Sequence, residues 1–297
     1  MDVAADMIAE VRRFNRTVTQ RIGALQDTFL SRDRPLGQAR LLWEIGVDGS
    51  EVRALRERLD LDAGYVSRLL RSLEAGGLVE VGPGGGDRRV RTARLTAAGV
   101  AERSMLDRGS DRAAATLLGP LGPRQRARLV TAMVEVERLL TASAVQIGET
   151  DPGAPGARAC LEAYAAELAQ RFEAGFDAAA SNPATDVQLT RPAGFLLLAT
   201  LHGEPVGCGA VKLHPGEPAE IKRMWVSPQA RGLGLGRRLL GELERRAAVA
   251  GAHTVRLETN RALTEAICLY RAAGYREVPA FNDETYAHHW FEKRVAP

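Results

Sequence analysis

The sequence predicts two domains of different class: a mainly α half over residues 1–143 and an α/β half with a mixed sheet over residues 144–297. Three observations predict this. The chain has 297 residues, more than the roughly 100–200 of one ordinary domain. Apolar residues recur at helical spacing through the first half, interrupted by one strand–turn–strand stretch. Strand-like and helix-like segments alternate through the second half. A content of 45% hydrophobic and 26% charged residues suffices for two cores and excludes a mainly disordered chain. No apolar run approaches the roughly 20 residues that span a bilayer, and no secretory pattern opens the chain. Cys160, Cys208 and Cys268 are scattered and odd in number. The expectation is a cytoplasmic protein with no membrane partner, disulfide or metal site.

In the first half, residues 2–29 and 36–46 read as helices, with Leu36, Ala39 and Trp43 on one stripe of the second. Asp48-Gly-Ser-Glu51 has capping-box spacing and is expected to open a helix that buries Val52, Leu55 and Leu59. Asp62 is placed to cap the next helix, which runs to Ala75 and stops at Gly76-Gly77. Leu78–Val81 and Val90–Leu95 read as strands around the turn Gly82-Pro-Gly-Gly-Gly86. Thr96 caps a further helix, and Gly122-Pro123 separates it from one ending near Thr141. In the second half, Ala144–Glu149 reads as a strand. Leu161, Tyr164, Leu168 and Phe172 form a helical stripe. Strands follow at Gly194–Leu201, Val206–Leu213 and Glu220–Val226. A helix at Leu233–Ala250, a strand at Thr254–Thr259 and a helix at Leu263–Ala273 come next, then strands at Tyr275–Val278 and near His288–Val295.

Residues 48–75 form two short helices joined by a tight turn, a geometry that lays the second helix in a major groove. Val66, Leu69, Leu70 and Leu73 occupy its apolar face. Gly64, Tyr65, Arg68, Arg71 and Ser72 fall on or near the other face, with Ser67 at the margin, and offer donors to phosphates and base edges. Arg88 and Arg89 sit at the hairpin tip, where two guanidinium groups suit a minor groove and Asp87 braces one of them. The first half has 23 Arg and 19 acidic residues, too small an excess to identify a nucleic-acid partner; position carries the reading. The segments Leu61-Asp-Ala-Gly-Tyr-Val-Ser-Arg-Leu-Leu-Arg-Ser-Leu-Glu-Ala-Gly-Gly-Leu78, Gly86-Asp-Arg-Arg-Val90 and Leu95-Thr-Ala-Ala-Gly99 resemble the MarR family of winged helix-turn-helix regulators over roughly residues 5–141. The resemblance implies a homodimer, built through the first and last helices of this half, on a near-palindromic double-stranded operator. The triglycine tip departs from the family's usual proline-containing tip.

The strongest chemical motif is Val226-Ser-Pro-Gln-Ala-Arg231-Gly-Leu-Gly-Leu-Gly236-Arg-Arg-Leu-Leu240. A strand ends, a glycine-rich turn follows and an amphipathic helix begins, so backbone N–H groups converge on a diphosphate-sized site. A P-loop requires Gly-Lys-Ser/Thr, and the dinucleotide fingerprint requires Gly or Ala where Arg237 or Leu239 stands, so both fail. Arg-x-x-Gly-x-Gly, Arg231 to Gly236, resembles the acetyl-CoA signature of the GNAT superfamily of N-acetyltransferases. Glu220-Ile-Lys-Arg-Met-Trp-Val226, Leu257-Glu-Thr-Asn260, Ala266-Ile-Cys-Leu-Tyr-Arg-Ala-Ala-Gly-Tyr275 and His289-Trp-Phe-Glu-Lys293 extend the likeness over about residues 144–297.

That resemblance implies an acetyl-CoA site built from Met224, Trp225, Val226, Arg231, Gly232, Leu233, Gly234, Leu235, Gly236 and Arg237, with Asn260 nearby. It places Glu220 as the general base, with Glu258 in reserve, Tyr270 as the acid for the departing thiolate, and the Val226 N–H as an oxyanion donor. The competing reading for Glu220 is a strand carboxylate paired with Lys222 or Arg223. His288 and His289, beside Tyr286, read either as pocket lining or as surface residues. Cys268 reads as packing. The expected function is a DNA-binding regulator joined to an N-acetyltransferase acting on a small-molecule or peptide amine, nucleoid-associated when on DNA. The alternatives are a sensor half that binds acetyl-CoA or an amine without turnover, and a DNA-tethered protein-lysine acetyltransferase.

Overall fold

The computed structural model describes residues 4–22, 34–84, 90–173, 175–177, 180–181 and 184–296. The chain divides into two compact units at residues 133/134. Among the described residues no helix is long and apolar enough to cross a membrane.

The first unit contains α1 (Ala5–Arg21), α2 (Leu36–Ile45), β1 (Ser50–Glu51), α3 (Val52–Leu59), α4 (Ala63–Ala75), β2 (Val79–Pro83), β3 (Arg91–Leu95) and α5 (Ala97–Leu118). Helix α6 (Pro123–Ala144) begins here, and the division falls within it. The expected helix over 2–29 is described only as α1, and the wing-tip residues 85–89 lie outside the described residues. Leu41, Leu42 and Ile45 of α2 pack on Leu55 of α3, on Val66, Leu70 and Leu73 of α4, and on Ala93 of β3. The three strands form a sheet in the order β1-β3-β2.

The capping box expected at Asp48–Glu51 does not form. Glu51 stands at the N-cap of α3 but its side chain makes no capping bond. Ser50 pairs with Ala93 across β1 and β3, and its hydroxyl donates to the Ile45 carbonyl at 3.2 Å. Strand pairing therefore claims the residues that the box required. Asp62 does cap α4, accepting from the Tyr65 N–H at 2.8 Å. At the start of α5, Thr96 Oγ1 accepts from the Gly99 N–H and donates to the Gly77 carbonyl. The Thr96 N–H meets the Leu78 carbonyl at 3.0 Å. This close approach explains the glycine: a Cβ at Gly99 would lie 2.0 Å from the Leu78 carbonyl oxygen.

The second unit follows the expected alternation. It holds β4 (Gln146–Thr150), α7 (Pro155–Arg171), β5 (Gly194–Leu201), β6 (Glu204–Lys212), β7 (Ala219–Val226), α8 (Leu235–Val249), β8 (Thr254–Thr259), α9 (Thr264–Ala272), β9 (Arg276–Val278) and β10 (His289–Arg294). One sheet runs in the order β4-β5-β6-β7-β8-β10-β9. Its pairs are antiparallel except β7 with β8. Alternate residues serve opposite faces, as the two-residue period of a strand dictates. Phe195 and Leu197 join Leu239, Leu240 and Leu243 of α8, whereas Leu196 joins Ala157, Cys160 and Leu161 of α7.

Gly99→Ala is expected to destabilise the first unit by about 1–3 kcal/mol through overpacking against backbone. Urea unfolding of variant and parent measures the difference.

Candidate active site

The site begins where two parallel strands part. Strand β7 pairs with β8 only at Ala219–Val255 and Glu220–Arg256. Beyond Glu220 it carries a bulge: Lys222 pairs with Ala210 and Trp225 with Cys208, so Arg223 and Met224 together oppose Gly209. Arg223 has φ 53°, in the left-handed region. The bulge bends β7 and frees its edge toward β8.

The glycine-rich turn closes the other end. Gly232 and Gly234 take φ 78° and 74°, and Gly234 is the N-cap of α8 with no side-chain cap. The backbone bond from Arg238 N–H to the Gly234 carbonyl is the first of the helix. Among the described residues, the amides of Leu235, Gly236 and Arg237 therefore have no helical acceptor. A Cβ at Gly234 would meet nothing within 4 Å, so open space lies against this turn. No acid occupies the first turn of α8, so the helix dipole there is uncompensated and favours an anion. These residues fit a diphosphate.

Met224, Trp225, Val226, Arg231, Gly232, Gly234, Leu235, Gly236 and Arg237 line one cleft of ≈ 540 Å³. Leu233 differs from the other predicted residues of the turn: its side chain packs with Val145, Ala199, Ala230 and Leu235 in a small core. Asn260 lines an adjoining cavity of ≈ 320 Å³. Its Nδ2 donates to the Tyr286 carbonyl at 2.7 Å and its Oδ1 accepts from the Ala262 N–H at 2.9 Å, so it organises the loops at the cavity. Tyr164, Leu168, Met224, Leu263, Ala266 and Tyr270 line both cleft and cavity.

The titratable groups divide sharply. Tyr270 is 7% exposed, and burial first, then the Glu258 carboxylate, push its hydroxyl well above the usual tyrosine range. It is a protonated phenol facing both spaces. Tyr164 is raised in the same way, by burial first and then by Tyr270 and Glu258. Glu258 lines the cavity; its Oε1 accepts from Lys222 Nζ.

Glu220, expected as the base, lines neither space. It is buried among cations, Arg256 Nη2 at 2.7 Å, Lys222 at 3.6 Å and Lys212 at 3.9 Å, with the His214 ring at 3.8 Å. Burial alone would raise its pKa, but the Arg256 hydrogen bond and the neighbouring lysines outweigh that and lower it. A carboxylate held this way is a poor proton acceptor. The geometry thus matches the paired-carboxylate reading, with Arg256 as the main partner.

Arg231 donates to the Val226 carbonyl and to Glu167, whose carboxylate also accepts from Trp225 Nε1 at 2.8 Å. Glu167 and Arg171 escaped the sequence reading because single charged residues on an amphipathic helix look like solvated surface; Arg223, read as a partner for Glu220, makes no such pair and lines the cavity instead. Phe176 escaped for a different reason: it meets Tyr286, which the sequence did place beside a pocket, only through the fold. His288 and His289 do not line the cavity; the His289 ring contacts Glu277 at 2.6 Å. Cys268 is exposed. Among the described residues, no group of three or more His, Cys, Asp or Glu could hold a metal ion.

In the first unit, α4 turns Val66, Leu69, Leu70 and Leu73 into the core. Gly64, Tyr65, Arg68, Arg71 and Ser72 are exposed and Ser67 is half-buried. Arg68 lies over the Tyr65 ring at 5.7 Å. Ser72 Oγ accepts from Gln38 at 3.0 Å, and Arg71 Nε donates to the Ser67 carbonyl at 3.3 Å. Arg88 and Arg89 fall outside the described residues.

The second unit thus has a mixed sheet with one parted parallel pair beside an uncapped helix start, and the first unit a helix pair followed by a strand hairpin. Comparison with known proteins agrees. Residues 161–275 match the acetyltransferase (GNAT) family model and residues 33–90 match the MarR family model. The chain therefore joins a MarR-family domain to a GNAT-family domain. It is 42% identical over 101 residues to an IAA acetyltransferase of Azospirillum brasilense, covering 33% of this chain and 66% of that one. It is 38% identical over 89 residues to an N-acetyltransferase of Schizosaccharomyces pombe described as uncharacterized, covering 29% and 53%. A crystal structure from Klebsiella pneumoniae, of a protein assigned only provisionally as an acyl-CoA N-acyltransferase, is 30% identical with TM-score 0.43, covering 51% of this chain and 97% of that one. The chain thus spans just under two thirds of the first relative and about half of the second.

Glu220 should act on stability. Its pKa is depressed in the fold, so its contribution is full above the unfolded value of roughly 4.3 and is lost as pH falls through the folded value. Glu220→Gln is expected to cost about 1–3 kcal/mol near neutrality, with the gap closing in acid. Urea melts across pH measure it.

Proposed function

We propose that the second unit binds acetyl-CoA and transfers its acetyl group to a primary amine, and that the first unit binds double-stranded DNA as part of a homodimer. One observation carries the enzymatic reading: the glycine-rich turn, the parted strands and the buried Tyr270 line a single run of space leading to a second cavity. We place the functional boundary at residues 143/144.

The amides of Leu235, Gly236 and Arg237 and the guanidinium of Arg231 would hold the diphosphate, and the free edge of β7 would hold the pantetheine arm. When bound, acetyl-CoA supplies the activated acyl carbon. The Val226 N–H at the end of β7 would donate toward the thioester oxygen. Glu258, one of three carboxylates in the cavity lining, takes the proton that an ammonium acceptor must lose, directly or through water. Tyr270 gives its proton to the departing thiolate. The second proton lost by the amine nitrogen restores Tyr270, so one proton leaves per turnover.

On the DNA side, exposed Tyr65, Arg68 and Arg71 supply the groove contacts, and Arg88 and Arg89 the wing. Met7, Val11 and Phe14 of α1, and Val130 and Met133 of α6, are large apolar side chains left exposed. They repeat at helical spacing and suit a partner copy.

Calorimetry with acetyl-CoA, paired with CoA release over a panel of amines, tests the enzymatic half. Binding plus turnover supports it, and binding without turnover makes the unit a sensor. Tyr270→Phe is expected to lower kcat by about 10²–10⁴-fold while acetyl-CoA affinity stays unchanged; unaltered kcat removes the acid role. Arg68→Ala is expected to weaken operator binding by about 1–3 kcal/mol if it reads a base, with a shallower salt dependence if it meets phosphate.

A further inference from the structure

We propose that the acceptor carries a carboxylate as well as its amine, on an aromatic body, and that the Arg223 guanidinium binds that carboxylate. The aromatic α-amino acids are the simplest members of this class. The assignment rests on the acetyl-transfer reading above, and it names the substrate of that same cavity.

Three cations line the cavity: Arg158, Lys222 and Arg223. Lys222 is ion-paired with Glu258 and Glu220, and Arg158 is ion-paired with Asp186. Arg223 differs. Its guanidinium donates to the Ala184 carbonyl at 2.8 Å, and among the described residues no carboxylate lies within ion-pairing distance. A half-buried guanidinium that, among the described residues, meets a backbone carbonyl and no carboxylate within ion-pairing distance retains donors for an anion. Its fork matches a carboxylate in two parallel bonds. The backbone points the same way: the bulge puts this non-glycine residue at φ 53°, and strain of this kind gathers at ligand clamps.

Phe172, Phe176 and Tyr286 supply the other recognition element. Their ring centroids lie 5.9, 5.7 and 5.1 Å apart, and all three line the cavity. The Asp177 N–H donates to the Tyr286 hydroxyl at 2.9 Å, and Asn260 holds the Tyr286 carbonyl, so the cluster is fixed from both segments. Ring clusters at this spacing accept a further ring in offset or edge contact. The cavity, at ≈ 320 Å³, sits at the small end of ligand sites, roughly 300–1,000 Å³, which suits one amino-acid-sized molecule. An ammonium beside Glu258, a carboxylate on Arg223 and a ring among the aromatics use the charged and apolar lining together.

The test uses the full chain with L-phenylalanine, phenethylamine and L-alanine. Phenethylamine keeps the ring and amine without the carboxylate; alanine keeps the carboxylate without the ring. Each is measured by CoA release and, separately, by calorimetric binding in the presence of CoA. The expected result is kcat/KM and affinity for phenylalanine at least about tenfold above both others. Arg223→Gln is expected to lower kcat/KM for phenylalanine at least about fivefold more than for phenethylamine, Arg223→Lys to lower it less, and Phe176→Ala to lower phenylalanine more than alanine. Thermal melts confirm that the variants fold. Phenethylamine equal to or better than phenylalanine overturns the assignment, as does equal loss for every acceptor in Arg223→Gln or acetylation confined to lysine peptides. Discrimination in binding without CoA release from any acceptor leaves the assignment standing and removes the acetyl-transfer reading instead.

Discussion

The active half of this chain depends on where β7 stops pairing with β8. Two residue pairs hold the strands together, and the second of them is Glu220 with Arg256, the centre of a buried cluster that includes Lys212 and Lys222. Such a cluster is costly to desolvate and costly to break. It fixes the point of divergence. Past it, the bulge at Arg223 and Met224 turns β7 away, and the gap that results is lined by polar backbone instead of being sealed by a ladder.

A gap alone is not specific. What gives it chemistry is the pair of features at its two ends. At one end, α8 starts on a left-handed glycine with no side-chain cap, so several amides point outward together and the dipole is unanswered. At the other, Tyr270 is kept protonated by burial and by Glu258. An anion is therefore favoured at the turn and a proton donor is held at the inner end. In the acetyl-transfer reading proposed above, this separation between a helix start and a phenol on the next helix lets one long ligand be gripped far from where its bond is broken.

The element order was legible because the second half punctuates its elements: β5 and β6 are short apolar runs buried along most of their length, the turn His202-Gly-Glu-Pro205 lies between them, and α8 carries a 3.6-residue apolar stripe. The turn at Arg231–Gly236 was legible because glycines at positive φ leave a direct trace in sequence. Caps were legible at Asp62 and Thr96, where nothing competes for the side chain. The box at Asp48–Glu51 failed because Ser50 is drawn into a strand pair that depends on Ala93, far along the chain. Glu220 ranked ahead of Glu258 by resemblance alone, since both are strand carboxylates with a basic residue two positions away. Only the fold shows that one faces Arg256 and the other faces the cavity. The cavity positions of Arg223 and Phe176 were invisible for the same reason: a left-handed bulge residue and a ring after a helix end carry no periodic signal.

Backbone amide NMR of the second unit within the intact chain, titrated with CoA and then with pantetheine, addresses the central claim most directly. The account predicts that CoA shifts the amides of Gly232–Arg237, and that pantetheine, which lacks the diphosphate, leaves them in place while moving those of Met224–Val226. Amides at 232–237 that ignore CoA, or that respond equally to pantetheine, would contradict it.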